Sequence, residues 1–206
     1  AELGNQRLAR LGYVDATAAP FGADATGRSD STQAIRRAVL FARDRQMVCF
    51  LPAGDYLVSD TIDCPQGYYY WRPDKIMGAR HHPCMIVGST GEPGRRARIT
   101  LAPRSRGFGD PARPKHVLRF WARQCIQGWK ADEAVSEDNF TREQANISMN
   151  QILCSVDIAI GEDNPGAVGL YLRSAQGSGA QDCTIDARYG HGGLDRGAGS
   201  GGAHLG

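Results

Sequence analysis

Four residues in the last third of the chain carry side chains that can exchange protons or act as nucleophiles: Asp157, Asp186, His191 and Asp195. Hydrolysis of a glycosidic bond takes two carboxyl groups, about 5 Å apart for retention of configuration and about 6.5–9.5 Å apart for inversion. Asp157 and Asp186 would lie on neighbouring strands of a solenoid if the interval between them equals the length of one coil. The four residues are therefore the candidate catalytic set. The alternative is that they are solvated surface acids and an exposed loop histidine.

The cysteines supply this coil length. The interval from Cys125 to Cys154 equals the interval from Cys154 to Cys183, and segment 154–158 (CSVDI) is similar to segment 183–187 (CTIDA). Equal spacing puts equivalent residues on adjacent strands about 4.8 Å apart. We expect Cys154 and Cys183 to share one inward position as free thiols, because stacked parallel neighbours suit disulfide geometry poorly.

The other cysteines do not form a metal-binding pattern. The sequence has no C-x-x-C pair and no cluster of histidines, so we predict no metal site. Cys64 and Cys84 flank a long loop, which makes them the better disulfide candidates if the protein is exported.

Aromatic residues are concentrated in two long connections, 65–83 and 127–145. The first contains the run 68–71 (YYYW) and the second contains Trp129. Flat rings with a polar edge can stack on the apolar face of a sugar, so Tyr69, Trp71 and Trp129 are the candidate substrate-binding residues. The alternative is that these rings pack the loops onto the solenoid. Trp121 lies in an alternating strand pattern and is expected in the core.

Segment 21–58 predicts how the chain begins to fold. Asp30 and Gln33 have the spacing of a capping box at the start of a helix. Apolar residues then recur at helical spacing and give the helix one face that must pack on another element. Segments 48–51 and 56–58 are typical of short strands and are separated by the turn 52–55 (PAGD).

This segment resembles the N-terminal part of the pectate-lyase-like superfamily of right-handed parallel β-helices. The matching residues are Gly22, Ala23, Asp24, Thr26, Gly27, Asp30, Thr32, Ala34, Ile35, Ala38, Phe50, Pro52, Ala53, Gly54, Tyr56, Leu57 and Val58. Segment 161–169 (GEDNPGAVG) is similar to proteins related to fungal exo-β-1,3-glucanases and to bacterial polygalacturonase-like relatives. The resemblance implies an all-β, right-handed parallel β-helix with an N-terminal capping α-helix. We expect a single domain, 1–206, with a cap region at 1–46 and coils at 47–206.

The resemblance also implies a function class. We expect a carbohydrate-active enzyme that cleaves glycosidic bonds of a polysaccharide, with a glycoside hydrolase as the first interpretation and no cofactor. A polysaccharide lyase is the nearest alternative, with Lys130, Arg119, Tyr189 or His191 available as base and Ca²⁺ as a candidate cofactor. A non-catalytic glycan-binding or tailspike-like module is the third. No catalytic residue is carried over, because the catalytic acid of the related glucanases lies beyond the region that this chain covers.

Composition limits the partners. A net charge of +2 argues against a dedicated nucleic-acid surface, and no apolar run approaches the roughly 20 residues of a membrane span. The expected partner is a polysaccharide or oligosaccharide met in a secreted or periplasmic setting. The glycine-rich end, 197–206, lacks a segment that would cover the last coil of a solenoid. We therefore expect the rest of the polypeptide, or a partner chain, to continue the β-helix.

Overall fold

Short strands dominate the chain. The computed structural model describes residues 2–71, 76–79, 82–91, 94–124, 142–143, 145–197 and 203–205. The helices are α1 (Gln6–Arg10) and α2 (Thr32–Asp44), with a 3-10 turn at Ala145–Ile147. The strands are β1 (Tyr13–Asp15), β2 (Val48–Leu51), β3 (Gly54–Val58), β4 (Ile62–Trp71), β5 (Ile76–Ala79), β6 (Met85–Gly88), β7 (Ala97–Leu101), β8 (Lys115–Gln124), β9 (Arg142–Glu143), β10 (Ile152–Cys154), β11 (Val156–Ile160), β12 (Ala167–Leu172), β13 (Gly179–Gln181), β14 (Ile185–Asp186), β15 (Gly192–Asp195) and β16 (Ala203–Leu205).

The strands form three sheets. Sheet A has the order β1-β2-β6-β10-β13-β16, sheet B has β14-β11-β7-β3, and sheet C has β15-β12-β8-β4-β5. From β2 onward, successive strands along the chain visit sheets A, B and C in turn, apart from β5 and β9, which are extra strands next to β4 and β8. We call each set of three strands one coil. All pairings are parallel except β4 with β5 and β8 with β9. The parallel pairing is consistent with the expected parallel β-helix; the closure and the handedness of the coil and the domain boundaries stay predictions.

The coil register corrects the spacing taken from the cysteines. Ile152 pairs with Gly179 and Ile158 pairs with Ile185, so the last two coils are closer in sequence than the cysteine interval indicates. Cys154 therefore lies opposite Gln181 and does not share a position with Cys183. The similarity of segments 154–158 and 183–187 therefore does not reflect their positions in the coils.

A better marker of the register lies at the corner between sheets A and B. Ser155 and Asp182 are separated by the same interval as the paired strand residues, and Ser155 Oγ donates to Asp182 Oδ2 at 2.8 Å. Both residues have positive φ, a backbone conformation that is uncommon for residues other than glycine. The recurrence of this conformation from one coil to the next identifies the true coil length.

The core is built from inward-facing side chains stacked from coil to coil. Tyr56, Ile99 and Ile158 lie in register on β3, β7 and β11, and each is at most 1% exposed. Full burial of such a side chain stabilises the folded state by about 1.5–3 kcal/mol. Each coil can bury its apolar face only against its neighbours, which is why the sheets stay in register.

Helix α2 packs on the first coils through the predicted apolar face. Its buried residues include Ile35, Ala38 and Val39, and it contacts β1, β2, β4 and β6. The capping-box prediction is wrong in detail, because the N-cap is Ser31 and its own side chain makes no capping hydrogen bond. Asp30 instead accepts hydrogen bonds from the Thr32 N–H (2.9 Å) and from Ser59 Oγ (2.5 Å). The role of α2 as a cap stays a prediction.

The cysteines in the described part of the chain are free thiols: Cys49, Cys64, Cys84, Cys154 and Cys183. The structure thus contains no bond between Cys64 and Cys84. Cys125 lies outside the described residues. No helix among the described residues is long and apolar enough to span a membrane.

Candidate functional site

The outer surface of sheet C carries a row of chemically active side chains, which we call the sheet C face. Asp63, Arg119, Tyr171 and Asp195 lie in register on the adjacent strands β4, β8, β12 and β15. Side chains alternate across a strand, and the neighbouring row Ile62, Leu118 and Leu170 is buried in the core. The core row therefore holds the polar row in place, one side chain per coil.

Arg119 is the centre of the row. Its guanidinium lies 3.8 Å from Asp63 Oδ1 and donates to Glu143 Oε2 at 3.2 Å. It also stacks 4.4 Å from the centre of the Trp121 ring, and the Trp121 indole N–H donates to Asp63 Oδ1 at 2.8 Å. One planar cation thus spans two carboxylates while an aromatic face supports it.

Glu143 reaches the sheet C face on a separate element. Strand β9 pairs antiparallel with the end of β8, which places Glu143 beside Arg123 in the backbone register. The Tyr171 hydroxyl donates to Glu143 Oε1, and Arg173 lies 3.9 Å from the same oxygen. Burial, reinforced by the neighbouring Glu143 carboxylate, raises the pKa of Tyr171 to about 12. Tyr171 therefore keeps its proton at neutral pH.

His116 and Asp195 form a second polar pair on this face. His116 Nε2 lies 3.0 Å from Asp195 Oδ2, and the imidazole ring lies 4.6 Å from the Tyr171 ring. The imidazole is largely covered, since 16% of its side chain is exposed. A carboxylate that holds one ring nitrogen fixes the orientation of the other nitrogen, which suits His116 to accept or donate a proton.

Lys115 and Asp60 border a cavity beside the row. The cavity has a volume of about 500 Å³ and is lined in part by Asp63, Arg119 and Tyr171. Asp60 Oδ1 lies 2.5 Å from Lys115 Nζ, and Arg36 of α2 lies 2.9 Å from Asp60 Oδ2. Burial opposes ionisation of Asp60, but the hydrogen bonds from Lys115 and Arg36 outweigh it and lower the pKa to about 2.

The sheet C face thus combines the groups that polysaccharide chemistry uses. It has carboxylates for acid–base catalysis, a guanidinium that can neutralise an acidic sugar, a protonated tyrosine and an oriented histidine. In the part of the chain that the structure describes, no group of three or more His, Cys, Asp or Glu side chains is arranged to hold a metal ion.

The family of the chain follows from a sequence comparison. A family model described as rhamnogalacturonase A/epimerase, pectate lyase-like, matches residues 17–203. The chain belongs to this family. A comparison with curated proteins found no match. Membership in the pectate lyase-like family confirms the resemblance inferred from segment 21–58 and indicates a carbohydrate-active enzyme.

Within this pectate lyase-like chain, the predicted catalytic residues do not form one site. Asp195 lies on the sheet C face beside His116. Asp157 and Asp186 lie on sheet B, where the observed register aligns Asp186 with Ala159, so the predicted pairing of the two acids at one position is wrong. Each acid has an arginine partner instead: Asp157 pairs with Arg96 at 2.8 Å, and Asp186 with Arg188 at 2.8 Å.

The remaining predicted site residues lie apart or outside the description. His191 is exposed just before β15, and its backbone N–H donates to the Ala167 carbonyl at 2.6 Å. Tyr69 and Trp71 belong to β4, but their side chains lie outside the described residues, as does all of Trp129. Substrate stacking on these three rings stays a prediction.

Sequence reasoning missed four residues that the pectate lyase-like scaffold brings together: Asp63, His116, Glu143 and Tyr171. Arg119 had been considered only as a base. The available signal was the alternation in β8, where Leu118 and Phe120 are buried and Arg119 and Trp121 are partly exposed. Trp121 therefore faces outward, and its expected place in the core is wrong. No signal linked Glu143 to Tyr171, since the link depends on the antiparallel pairing of β9.

Proposed function

We propose that the protein cleaves glycosidic bonds of an acidic polysaccharide on the sheet C face. The observation that carries this proposal is the row Asp63, Arg119, Tyr171 and Asp195, presented in register beside a cavity of about 500 Å³. A polysaccharide is an extended chain, and a row that crosses four strands matches an extended ligand. Such a substrate does not enter cells intact, so the proposal includes a secreted or periplasmic location.

Hydrolysis is the first route. Asp63 and Glu143 contact the same guanidinium, that of Arg119, which is consistent with a separation below the upper limit of about 9.5 Å for an inverting pair. One of these two carboxyl groups would take a proton from water, and the other, protonated once Arg119 has moved away, would give a proton to the leaving oxygen. Arg119 would move from the carboxylates toward a carboxylate of the sugar. The family description, which includes a rhamnogalacturonase, supports this route.

Elimination is the second route, and the position of the His116–Asp195 pair beside the Tyr171 ring favours it. A lyase removes the proton next to a uronate carboxylate and expels the glycosidic oxygen. Arg119 would neutralise the sugar carboxylate. If the lyase used a cofactor, Ca²⁺ would neutralise this carboxylate instead. His116, oriented by Asp195, would take the proton, and Tyr171 would protonate the leaving oxygen.

Product analysis separates these routes. The 206-residue chain is incubated with a panel of neutral and uronate-containing polysaccharides, and new reducing ends are measured together with the ultraviolet absorbance of unsaturated uronides. Reducing ends without absorbance support hydrolysis, and equal rises in both signals support elimination. Binding to an acidic glycan without either signal would support a glycan-binding module instead. Cleavage that is unchanged in Arg119→Ala would contradict the sheet C face as the site.

A further inference from the structure

Three cysteines lie in the buried core of the first two coils. Cys49 lies in β2, Cys64 in β4 and Cys84 just before β6, and none is more than 1% exposed. Cys84 Sγ lies 3.4 Å from the carbonyl oxygen of Pro65, the residue that follows Cys64. The two thiols at positions 64 and 84 therefore lie in the same part of the core, although they belong to different coils.

Cys64 is a closer partner for Cys84 than Cys49 is. Burial raises the pKa of the Cys64 thiol, and the neighbouring Cys84 thiol raises it further. Burial also raises the pKa of the Cys49 thiol, and Cys84 adds to this effect only through charge repulsion. Strand pairing explains the difference, because Cys49 pairs with Ile86 and is thus offset from Cys84 along the neighbouring strand.

We propose that Cys64 and Cys84 are joined by a disulfide bond when the protein meets a small-molecule disulfide such as oxidised glutathione. Each thiol gives up its proton, the two sulfur atoms form one bond, and the S–S bond of the oxidant breaks to yield two thiols. The protein thiols are oxidised and the small disulfide is reduced. Because both thiols are buried, exchange is expected to be slow in the folded protein and fastest during folding.

The bond would connect the substrate face to the core. Cys64 follows Asp63 directly on β4, whereas Cys84 precedes the first residue of β6. A bond between them closes the segment 65–83 into a loop and fixes the start of that loop next to the sheet C face. Cross-links of this kind stabilise a protein mainly by restricting the unfolded chain.

Peptide mapping tests the proposal directly. The 206-residue chain is refolded either with a reduced and oxidised glutathione pair or with a reductant, its remaining thiols are alkylated, and it is digested with a protease that cleaves before aspartate. Cleavage before Asp55, Asp63 and Asp74 places Cys49, Cys64 and Cys84 on separate peptides. We expect a cross-linked pair of the Cys64 and Cys84 peptides in the oxidised sample only. Alkylation of both cysteines in that sample, or a cross-link to Cys49, would overturn the proposal.

Thermal unfolding gives a second, independent readout. The oxidised chain should melt about 5–10 °C above the reduced chain, the scale expected for a loop of this length in a protein of this size. Cys64→Ala and Cys84→Ala should each abolish the difference between the two samples. Cys154→Ala is the matched control and should preserve the difference, since Cys154 is partly exposed and lies outside the trio. If either core variant fails to fold, the redox comparison on the unaltered chain still decides the proposal.

Discussion

Sheets B and C each present a row of acids and arginines to the outside, but the two rows differ in what surrounds their charges. On sheet B, Asp55, Arg98 and Asp157 lie in register, and Arg96 is held by Asp157 and Asp182. Arg96 is therefore also shared by two carboxylates, and Arg98 pairs with Asp55 at 2.6 Å. On sheet C, Arg119 is shared by two carboxylates and lies between two aromatic rings.

The difference shows that a row of charges does not by itself mark a site on a β-helix. The sheet B row is a set of surface ion pairs, and such pairs usually contribute little to stability. The sheet C row adds a covered histidine, a tyrosine of raised pKa and a carboxylate from a separate strand. Perturbed and mutually oriented groups of this kind are typical of functional sites.

The largest expected effect comes from removing the central arginine. Arg119→Ala should lower the rate of glycan cleavage by about 10²-fold or more, because the group that stabilises the charge of the substrate is lost. Arg98→Ala on sheet B is the matched control and should change the rate by less than about twofold. Initial rates on the best polysaccharide of the panel measure both. Equal losses of cleavage rate in Arg119→Ala and Arg98→Ala would contradict the assignment of the site to sheet C rather than to sheet B.

Tyr171→Phe removes one hydroxyl and should lower cleavage by about 10²-fold if Tyr171 donates a proton. The same variant has a signature in stability. Because folding raises the pKa of Tyr171 to about 12 from 10, the contribution of Tyr171 is complete below pH 10 and is lost as the pH rises from 10 to 12. Denaturant unfolding between pH 9 and 12 should show a smaller alkaline loss in the variant. An equal loss of unfolding free energy in both proteins at high pH would contradict the raised pKa of Tyr171.

Asp195→Asn tests whether His116 depends on its carboxylate partner. We expect about a tenfold lower rate, because an amide does not fix the orientation and tautomer of the imidazole as the carboxylate does. Asp157→Asn, on sheet B, is the control that alters an acid without touching His116. An unchanged rate in Asp195→Asn, or an equal loss in Asp157→Asn, would contradict the role of Asp195 in orienting His116.

Asp60→Asn should have the smallest effect, below about 1 kcal/mol of unfolding free energy, because the side chain is partly exposed and its ion pairs are screened. The pKa of Asp60 is lowered to about 2 from 3.8, so its contribution is present above about pH 4 and is lost as the pH falls toward 2. Urea unfolding at pH 7 and pH 2.5 checks this, and the two proteins should converge at the lower pH. If the difference in unfolding free energy between the two proteins is larger at pH 2.5 than at pH 7, the lowered pKa of Asp60 is contradicted.

The sequence predicted the fold better than the site, and particular residues explain why. Ile35, Ala38 and Val39 have helical spacing, and the helix that they predict packs through that face. Local patterns of this kind fix an element, but they do not fix the register between coils. Register depended on Ser155 and Asp182 at the corner between two sheets, whereas the more conspicuous cysteine repeat indicated a spacing that is too long.

The site was harder to predict because its parts come from distant positions. Asp63 and Asp195 belong to the same row although they are far apart in sequence, and only the number of residues per coil relates them. Glu143 requires knowledge of the β9 pairing as well. Of the predicted catalytic residues, only Asp195 lies in this row, because Asp157 and Asp186 were selected by the cysteine spacing and lie on sheet B.

The row on sheet C takes one side chain from each of four successive coils, and this makes the row sensitive to fraying. In a solenoid each coil is stabilised by its immediate neighbours, so melting can begin at an end and advance one coil at a time. Loss of the β15 coil alone would deprive His116 of Asp195 and leave the Asp63–Arg119 contact intact. Catalysis would then report on the order of the β15 coil, and it would decline on heating before the other three coils unfold.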